Sequence, residues 1–190
     1  MGQPAKGAFC RGKDIIYIAE KTDAPRRRAG EAQNATADFK QEMKTVVIRH
    51  PRENRKKCSL RHLCGRSDFD FHNAADGFSF DATGYLVLEI GAPEISSADA
   101  GLPILLLDST WLLLPKIKAK IRGNYVARSI PQCVKTAYPR KSKLAEDPSG
   151  GLATVEALFA ALYFSGRPDF SVLDGYPFAD DFLKINNFSV

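Results

Sequence analysis

The segment DSTW, residues 108–111, places a carboxylate, two hydroxyls and an indole directly after the apolar residues 102–107. A carboxylate accepts hydrogen bonds from an ammonium group or a ribose hydroxyl, and the face of Trp111 can pack against an apolar or aromatic ligand. Asp, Ser and Thr are also the residues that cap helices, and a single Trp usually belongs to a core. The segment therefore predicts either a ligand site around Asp108 or the start of a helix.

A second group of polar residues follows the β-branched run TVVIR, residues 45–49. Its basic members can donate hydrogen bonds to phosphate. They are Arg52, Arg55, Lys56 and Lys57. Because imidazole titrates near neutrality, His50 is a candidate acid or base, although His before Pro is also a common turn residue. Ser59 is a candidate cap for the helix that follows, whose N-terminus would bind an anion.

The cysteines do not form a recognisable framework. They are Cys10, Cys58, Cys64 and Cys133. In a reducing compartment such irregularly spaced residues are mostly unpaired thiols. Cys58, His62 and Cys64 could be metal ligands, but no second ligand pair follows at the spacing of a zinc site, so we predict no metal.

Charge alternates along the chain. The net charge is +5 at pH 7, from 27 Lys and Arg against 22 Asp and Glu. Residues 69–114 contain no Lys or Arg, whereas residues 115–145 contain no Asp or Glu. Residues 41–68 are also basic. Such blocks are either solvated faces or surfaces that bind a polyanion, and the long acid-free block favours nucleic acid.

The elements that must position these residues indicate an α/β domain. Strands are predicted over residues 45–50, 85–90 and 102–108, a short helix over 96–101, and the clearest helix over 154–166. In open parallel sheets, ligands bind beyond the carboxyl ends of the strands, and Asp108 lies there. The first residues lack the continuous apolar core of a signal peptide, and no apolar run approaches the roughly 20 residues that span a membrane, so we expect a cytoplasmic protein without membrane association.

Taken in order, the motifs resemble a known superfamily. They are HPRE with Lys57-Cys58-Ser59, S-x-A-D at residues 96–99, DSTW, LATVEAL at 152–158, and YPFADDFLKIN at 176–186. Over residues 45–187 this set resembles the DTW-domain transfer-RNA aminocarboxypropyltransferases and their sister family, the 18S ribosomal RNA aminocarboxypropyltransferases. Unlike most DTW-domain proteins, the chain lacks a cysteine-rich amino-terminal element.

The resemblance implies a SPOUT-like α/β fold. Such a fold has a sheet with helices on both faces and a C-terminal trefoil knot, a rare exception to unthreaded topology. We expect residues 1–40 to be a flexible or loosely docked basic extension. Residues 41–100 would form a small N-terminal α/β part, and residues 101–190 the SPOUT-like cofactor-binding part.

The resemblance also implies an activity, the transfer of the 3-amino-3-carboxypropyl (acp) group of S-adenosylmethionine (SAM) to a uridine-type nitrogen in tRNA or rRNA. Carried over by position, Asp108 holds the cofactor's amino group, Trp111 packs on the cofactor and Thr154 takes its carboxylate. Ser59 touches the acp end. Four residues line the adenine pocket: Leu88, Ile90, Val134 and Leu152. Asp108 and His50 are the candidate bases.

The RNA partner would contact the basic blocks, with Tyr125 or Tyr138 stacking on a base unless these rings serve the core. The predicted RNA-binding residues are Arg49, Arg52, Arg55, Lys56, Lys57, Lys116, Lys118, Lys120, Arg122, Arg140, Lys141 and Lys143. We expect a monomer. A non-catalytic RNA-binding module and a SPOUT-like RNA methyltransferase remain alternatives. An exposed cap is worth about 1 kcal/mol, so we expect Asp108→Ala to abolish cofactor binding with little change in melting temperature.

Overall fold

The computed structural model describes residues 43–56, 58–139 and 151–189. These residues belong to one compact unit, Met43–Val190. The predicted extension, residues 1–40, lies outside the described residues. None of the helices described is long and apolar enough to cross a membrane.

The described part contains a five-stranded sheet in the order β2-β1-β5-β4-β7, in which every neighbouring pair is parallel. Its strands are β1 (Thr45–Arg49), β2 (Phe69–Asn73), β4 (Leu86–Leu88), β5 (Ile104–Asp108) and β7 (Val126–Arg128). A second, two-stranded parallel sheet pairs β3 (Phe80–Asp81) with β6 (Ile121–Arg122). Strands from residues 41–100 and from residues 101–190 thus share one sheet.

Within the described ranges, three α-helices and three short 3-10 helices connect and cover the strands. The α-helices are α1 (Leu114–Lys118), α2 (Thr154–Phe164) and α3 (Ala179–Ile185), and the 3-10 helices span Arg61–Leu63, Ser97–Asp99 and Phe170–Leu173. The strands predicted at 45–50, 85–90 and 102–108 and the helix predicted at 154–166 are confirmed. Gly166, with φ of 79°, ends α2 in a backbone conformation that suits glycine.

Both faces of the central sheet are buried. Val47 and Leu106 face a larger core, which also contains Phe159 of α2 and Phe182 of α3. Their neighbours Ile48 and Leu105 face a smaller core with Ile117 of α1. A strand buried on both faces reads as a continuous apolar run, as residues 102–107 do. The predicted α/β class is confirmed, and the trefoil knot stays a prediction.

Candidate functional site

The register of β1 on β5 brings Arg49 opposite Asp108 at the carboxyl ends of both strands. Side chains alternate along a strand, so Asp108 lies on the same face as Leu106, the face that α2 covers. Nε of Arg49 lies 3.0 Å from Oδ2 of Asp108, and the two side chains are only 8% and 6% exposed. The acid of DSTW therefore forms a buried ion pair and is not the exposed cap assumed in the expectation of a small change in melting temperature for Asp108→Ala.

Two more side chains donate hydrogen bonds to Asp108. The hydroxyl of Thr154, the first residue of α2, donates to Oδ1 at 3.0 Å. The thiol of Cys58 donates to Oδ2 at 3.0 Å. The carboxylate thus joins β1, β5, the loop after β1 and the start of α2. Of the residues that the sequence assigned to the cofactor, Asp108 and Thr154 are brought into direct contact.

Ser59 also reaches the start of α2. Its Oγ accepts a hydrogen bond from the backbone N–H of Val155 at 3.3 Å. We expected Ser59 to cap the helix that follows it in sequence, but the 3-10 helix Arg61–Leu63 has no side-chain cap. The hydroxyl satisfies instead a free N–H of α2, since the first N–H groups of a helix have no partner within it.

Cys58 and Cys64 are free thiols. Burial, together with the charge of Asp108 and its hydrogen bond, raises the pKa of Cys58 to about 12. His62 is engaged elsewhere, because its Nε2 lies 2.8 Å from the carbonyl oxygen of Val172. The trio considered as metal ligands thus forms no ligand set, and no group of three His, Cys, Asp or Glu in the described ranges could hold a metal ion.

The rest of DSTW lies between β5 and α1. Trp111 is half-buried. In the part of the chain that the structure describes, the hydroxyl oxygen of Ser109 is a buried polar atom without a hydrogen-bond partner. Buried polar groups nearly always have a hydrogen-bond partner, which for this hydroxyl would be an ordered water or a ligand.

The predicted adenine-lining residues are divided. Val134 is buried in the larger core, and Leu88 and Leu152 pack against it. Ile90 is 59% exposed, just beyond the end of β4. Three of the four predicted residues therefore share one apolar region, and Ile90 lies at its surface.

Glu156, one of the matched motif residues, has a structural role that sequence reasoning missed. It is fully buried in α2. Its Oε2 accepts the backbone N–H of Ala153 at 2.8 Å, and its Oε1 accepts that of Ala137 at 2.9 Å. The hydroxyls of Thr136 and Tyr176 donate to the same carboxylate at 2.6 and 3.0 Å. Glu156 thereby fixes the segment after Val134 against the start of α2.

The two basic blocks of the sequence meet around His50. Partial burial and the positive charge of Arg52 lower the pKa of His50, and the charges of Lys116 and Lys120 add to that shift. Nδ1 of His50 accepts the backbone N–H of Arg52 at 3.1 Å. Residues more than 60 positions apart thus form one basic surface at the carboxyl end of β1.

One of the predicted RNA-binding residues does not lie at the surface. Arg49 is buried in the ion pair with Asp108 and is not part of a surface. The other described members are exposed or half-buried: Arg52, Arg55, Lys56, Lys116, Lys118, Lys120 and Arg122. Lys57, Arg140, Lys141 and Lys143 lie outside the described residues.

The two tyrosines considered for base stacking are held by protein contacts. The hydroxyl of Tyr125 donates to Oε1 of Glu89 at 2.9 Å, and Oε2 of the same carboxylate lies 2.8 Å from Nζ of Lys118. The ring of Tyr138 packs edge-on against Phe178 with centroids 5.7 Å apart. For Tyr138 this contact favours the packing interpretation.

Glu53, which was assigned no role from the sequence, is a second acid near Asp108. It is half-buried in the loop after β1. Burial and then the negative charge of Asp108 raise its pKa, whereas Arg49 and hydrogen bonds from the backbone N–H groups of Asn54 and Thr110 oppose the shift. Its place in HPRE, directly after the strand that pairs with β5, was the available signal.

Comparison with known proteins identifies the fold. No protein-family model matches the sequence, and no curated protein matches it. Among solved structures, the chain is similar to the SAM-dependent rRNA:acp-transferase Tsr3 from Vulcanisaeta distributa, with a TM-score of 0.57 and 24% sequence identity. The match covers 76% of this chain and 79% of that chain. At this identity the likeness shows a shared fold.

Proposed function

We propose that this protein is an RNA aminocarboxypropyltransferase, which moves the acp group of SAM to a uridine-type nitrogen in tRNA or rRNA. The observation that carries the proposal is the 3.0 Å hydrogen bond between Thr154 and Asp108. It joins the start of α2 to DSTW at the carboxyl edge of the sheet, where open α/β folds bind ligands. The shared fold with an enzyme described as a SAM-dependent rRNA:acp-transferase supports the same activity.

The groups at this edge suit the polar end of SAM. A carboxylate offers about four acceptor sites, and Asp108 uses three of them for Arg49, Cys58 and Thr154. The remaining site can accept a hydrogen bond from an ammonium. The next residue, Ser109, adds a buried hydroxyl without a partner among the described residues. The N-terminus of α2, an 11-residue helix, suits a carboxylate.

The apolar groups suit the nucleoside. Val134, Leu88 and Leu152 belong to or border the larger core and would surround the adenine, with Trp111 packing on the cofactor. Glu156 touches none of these groups directly but keeps the segment after Val134 in place. These cofactor-binding roles are the ones that the sequence motifs imply for the residues of this chain.

Positioning would provide much of the catalysis. When bound, SAM supplies a sulfonium that activates three carbons, so the product depends on which carbon meets the nucleophile. Asp108 and Thr154 would fix the amino and carboxylate ends and leave the acp carbon facing the RNA. Well-oriented groups can contribute roughly 7 to 11 kcal/mol to lowering a barrier. The half-buried Leu113 and Leu114 would shield the methyl group.

The surface around His50 would hold the RNA. Arg52, Lys116 and Lys120 gather there, close to Asp108 in the neighbouring strand. Lysine and arginine contacts to phosphate provide affinity and orientation without reading sequence. The base to be modified would thus approach the carboxyl edge of the sheet from this side.

The position of an isotope label tests the reaction. Unmodified transcripts of transfer RNA and small-subunit ribosomal RNA are incubated with the full chain and SAM, which is labelled either in the carboxyl carbon or in the methyl group. Digested nucleosides are then analysed by mass spectrometry. We expect the carboxyl label in a uridine-type nucleoside and no methyl label in the RNA, with the exposed-residue variant Glu94→Gln as active as the wild type.

Each alternative gives a different result. Transfer of the methyl label would identify an RNA methyltransferase. RNA binding with neither label transferred and no saturable SAM binding would identify a non-catalytic RNA-binding module. Either result would overturn the proposed function.

A further inference from the structure

We infer that Glu53 is the catalytic base, which takes the proton from the RNA nitrogen as that nitrogen attacks the cofactor. This inference rests on the proposed function and names the residue that would complete it. Among the described residues next to the carboxyl ends of β1 and β5, three groups could accept a proton: Asp108, His50 and Glu53. Their surroundings distinguish them.

Asp108 is poorly placed to accept a proton from RNA. It is 4% exposed as a residue, and both of its oxygens already accept hydrogen bonds. Its partner Arg49 is also buried, so protonation of Asp108 would leave a buried guanidinium without a counter-charge. Such a loss costs several kcal/mol. Asp108 is therefore suited to hold Arg49 in place and not to take the proton.

His50 is suited to donate a hydrogen bond and not to accept a proton. Its Nδ1 accepts the backbone N–H of Arg52 at 3.1 Å. In a neutral imidazole one nitrogen carries hydrogen and the other accepts, so the proton lies on Nε2. The surrounding cations oppose a second proton. His50 can thus donate from Nε2 to a phosphate or to a carbonyl of the base.

Glu53 differs from both. Its carboxylate is half-buried, so it is accessible from the surface while remaining beside Asp108. The backbone N–H groups of Asn54 and of Thr110, which belongs to DSTW, stabilise its charged form. Its own N–H donates to the carbonyl oxygen of His50 at 2.9 Å, which places the acid inside the tight turn that ends β1. Glu53 therefore lies between the Asp108 cluster and the basic surface.

The environment of Glu53 also changes the pKa of its carboxyl group. Burial and the charge of Asp108 raise the pKa of Glu53, which makes it a stronger base than an exposed glutamate. A base is most effective when its pKa approaches the working pH. In the transfer step, the lone pair of the ring nitrogen forms the N–C bond and the C–S bond breaks toward sulfur, giving neutral methylthioadenosine. The N–H proton goes to a carboxylate oxygen of Glu53.

Glu53→Gln tests the assignment, because the amide keeps an oxygen for the N–H of Thr110 but cannot accept the proton. We expect single-turnover transfer to fall about 100-fold or more, the contribution typical of a general base. The wild-type rate should fall as pH drops through the raised pKa of Glu53, and that limb should disappear in the variant. SAM affinity, measured by calorimetry, should stay nearly unchanged. Glu94→Gln is the matched control.

The outcomes separate this inference from the proposed function. If the wild type makes the acp nucleoside and Glu53→Gln transfers at the same rate, the base assignment is wrong and the function stands. A loss of rate that parallels a loss of SAM affinity would also overturn it, because Glu53 would then only position Thr110. If the wild type transfers no acp group to either class of transcript, both ideas fail.

Discussion

Arg49 and Asp108 form a buried ion pair across the adjacent ends of β1 and β5, with 3.0 Å between Nε and Oδ2. Parallel pairing of these two strands places the residues directly opposite each other. Two uncharged donors, Thr154 and Cys58, complete the surroundings of the acid. One carboxylate thus serves both the packing of the sheet and the proposed cofactor site.

Asp108→Ala should therefore lower the stability of the protein substantially. Removing one partner of a buried pair leaves the other charge uncompensated, at a cost of about 3 to 5 kcal/mol. For a chain of this size the melting temperature should fall on the order of 10 °C, measured by calorimetry. This replaces the small change expected for an exposed cap. The control Asp81→Asn, at an exposed acid, should change the melting temperature little.

The double variant Arg49→Met with Asp108→Leu extends that test. It removes both charges and restores apolar volume, so it should recover much of the lost stability. If Asp108→Ala alone leaves the melting temperature within a few degrees, the ion pair does not exist as described.

Thr154→Val should weaken SAM binding and leave the fold intact. Valine has nearly the same shape as threonine but lacks the hydroxyl. Hydrogen bonds to charged groups contribute about 1.5 to 3 kcal/mol, which corresponds to roughly a 10- to 150-fold loss of affinity. Thr154→Ser keeps the hydroxyl and should bind nearly as well as the wild type in calorimetry. Equal affinity of both variants would remove Thr154 from the proposed site.

The sequence predicted the buried elements better than the peripheral ones. β1, β5 and α2 have long apolar runs or helical spacing, and their existence and type were predicted correctly. β2 reads FDFHN and lies at a sheet edge, where Asp70 and Asn73 are exposed, so its apolar content is low. β7 is only three residues long and half-buried. Short or polar strands depend on pairing partners that the sequence does not reveal.

The site was predicted only in part, because contacts between residues that are distant in sequence do not appear in the sequence pattern. Asp108 and Thr154 were both assigned to the cofactor, and the structure places them in contact. Arg49 was assigned to the RNA surface because it precedes a basic run. Its burial depends on the register of β1 against β5, which single-residue patterns do not specify. For Glu53 the place in HPRE was the available signal, because its neighbour Thr110 is distant in sequence.

Cys58 should be unreactive toward alkylating reagents in the native protein. The thiolate is the reactive form, and a pKa raised to about 12 leaves almost none of it at pH 8. Cys64 is exposed and should react faster than Cys58. Peptide mass spectrometry after brief iodoacetamide treatment compares the two sites in one sample. Fast labelling of Cys58 in the folded protein would contradict its burial and its contact with Asp108.

Lys116→Ala should weaken RNA binding through the loss of a phosphate contact. Each such contact releases about one counterion, so the slope of log affinity against log salt should become shallower by about one. Lys184→Ala is the matched control, because Lys184 is exposed in the last turn of α3 and lies outside the basic surface around His50. Fluorescence anisotropy with a labelled transfer-RNA transcript, over a range of KCl concentrations, measures both slopes. Equal slopes for the two variants would mean that RNA does not contact the surface around His50.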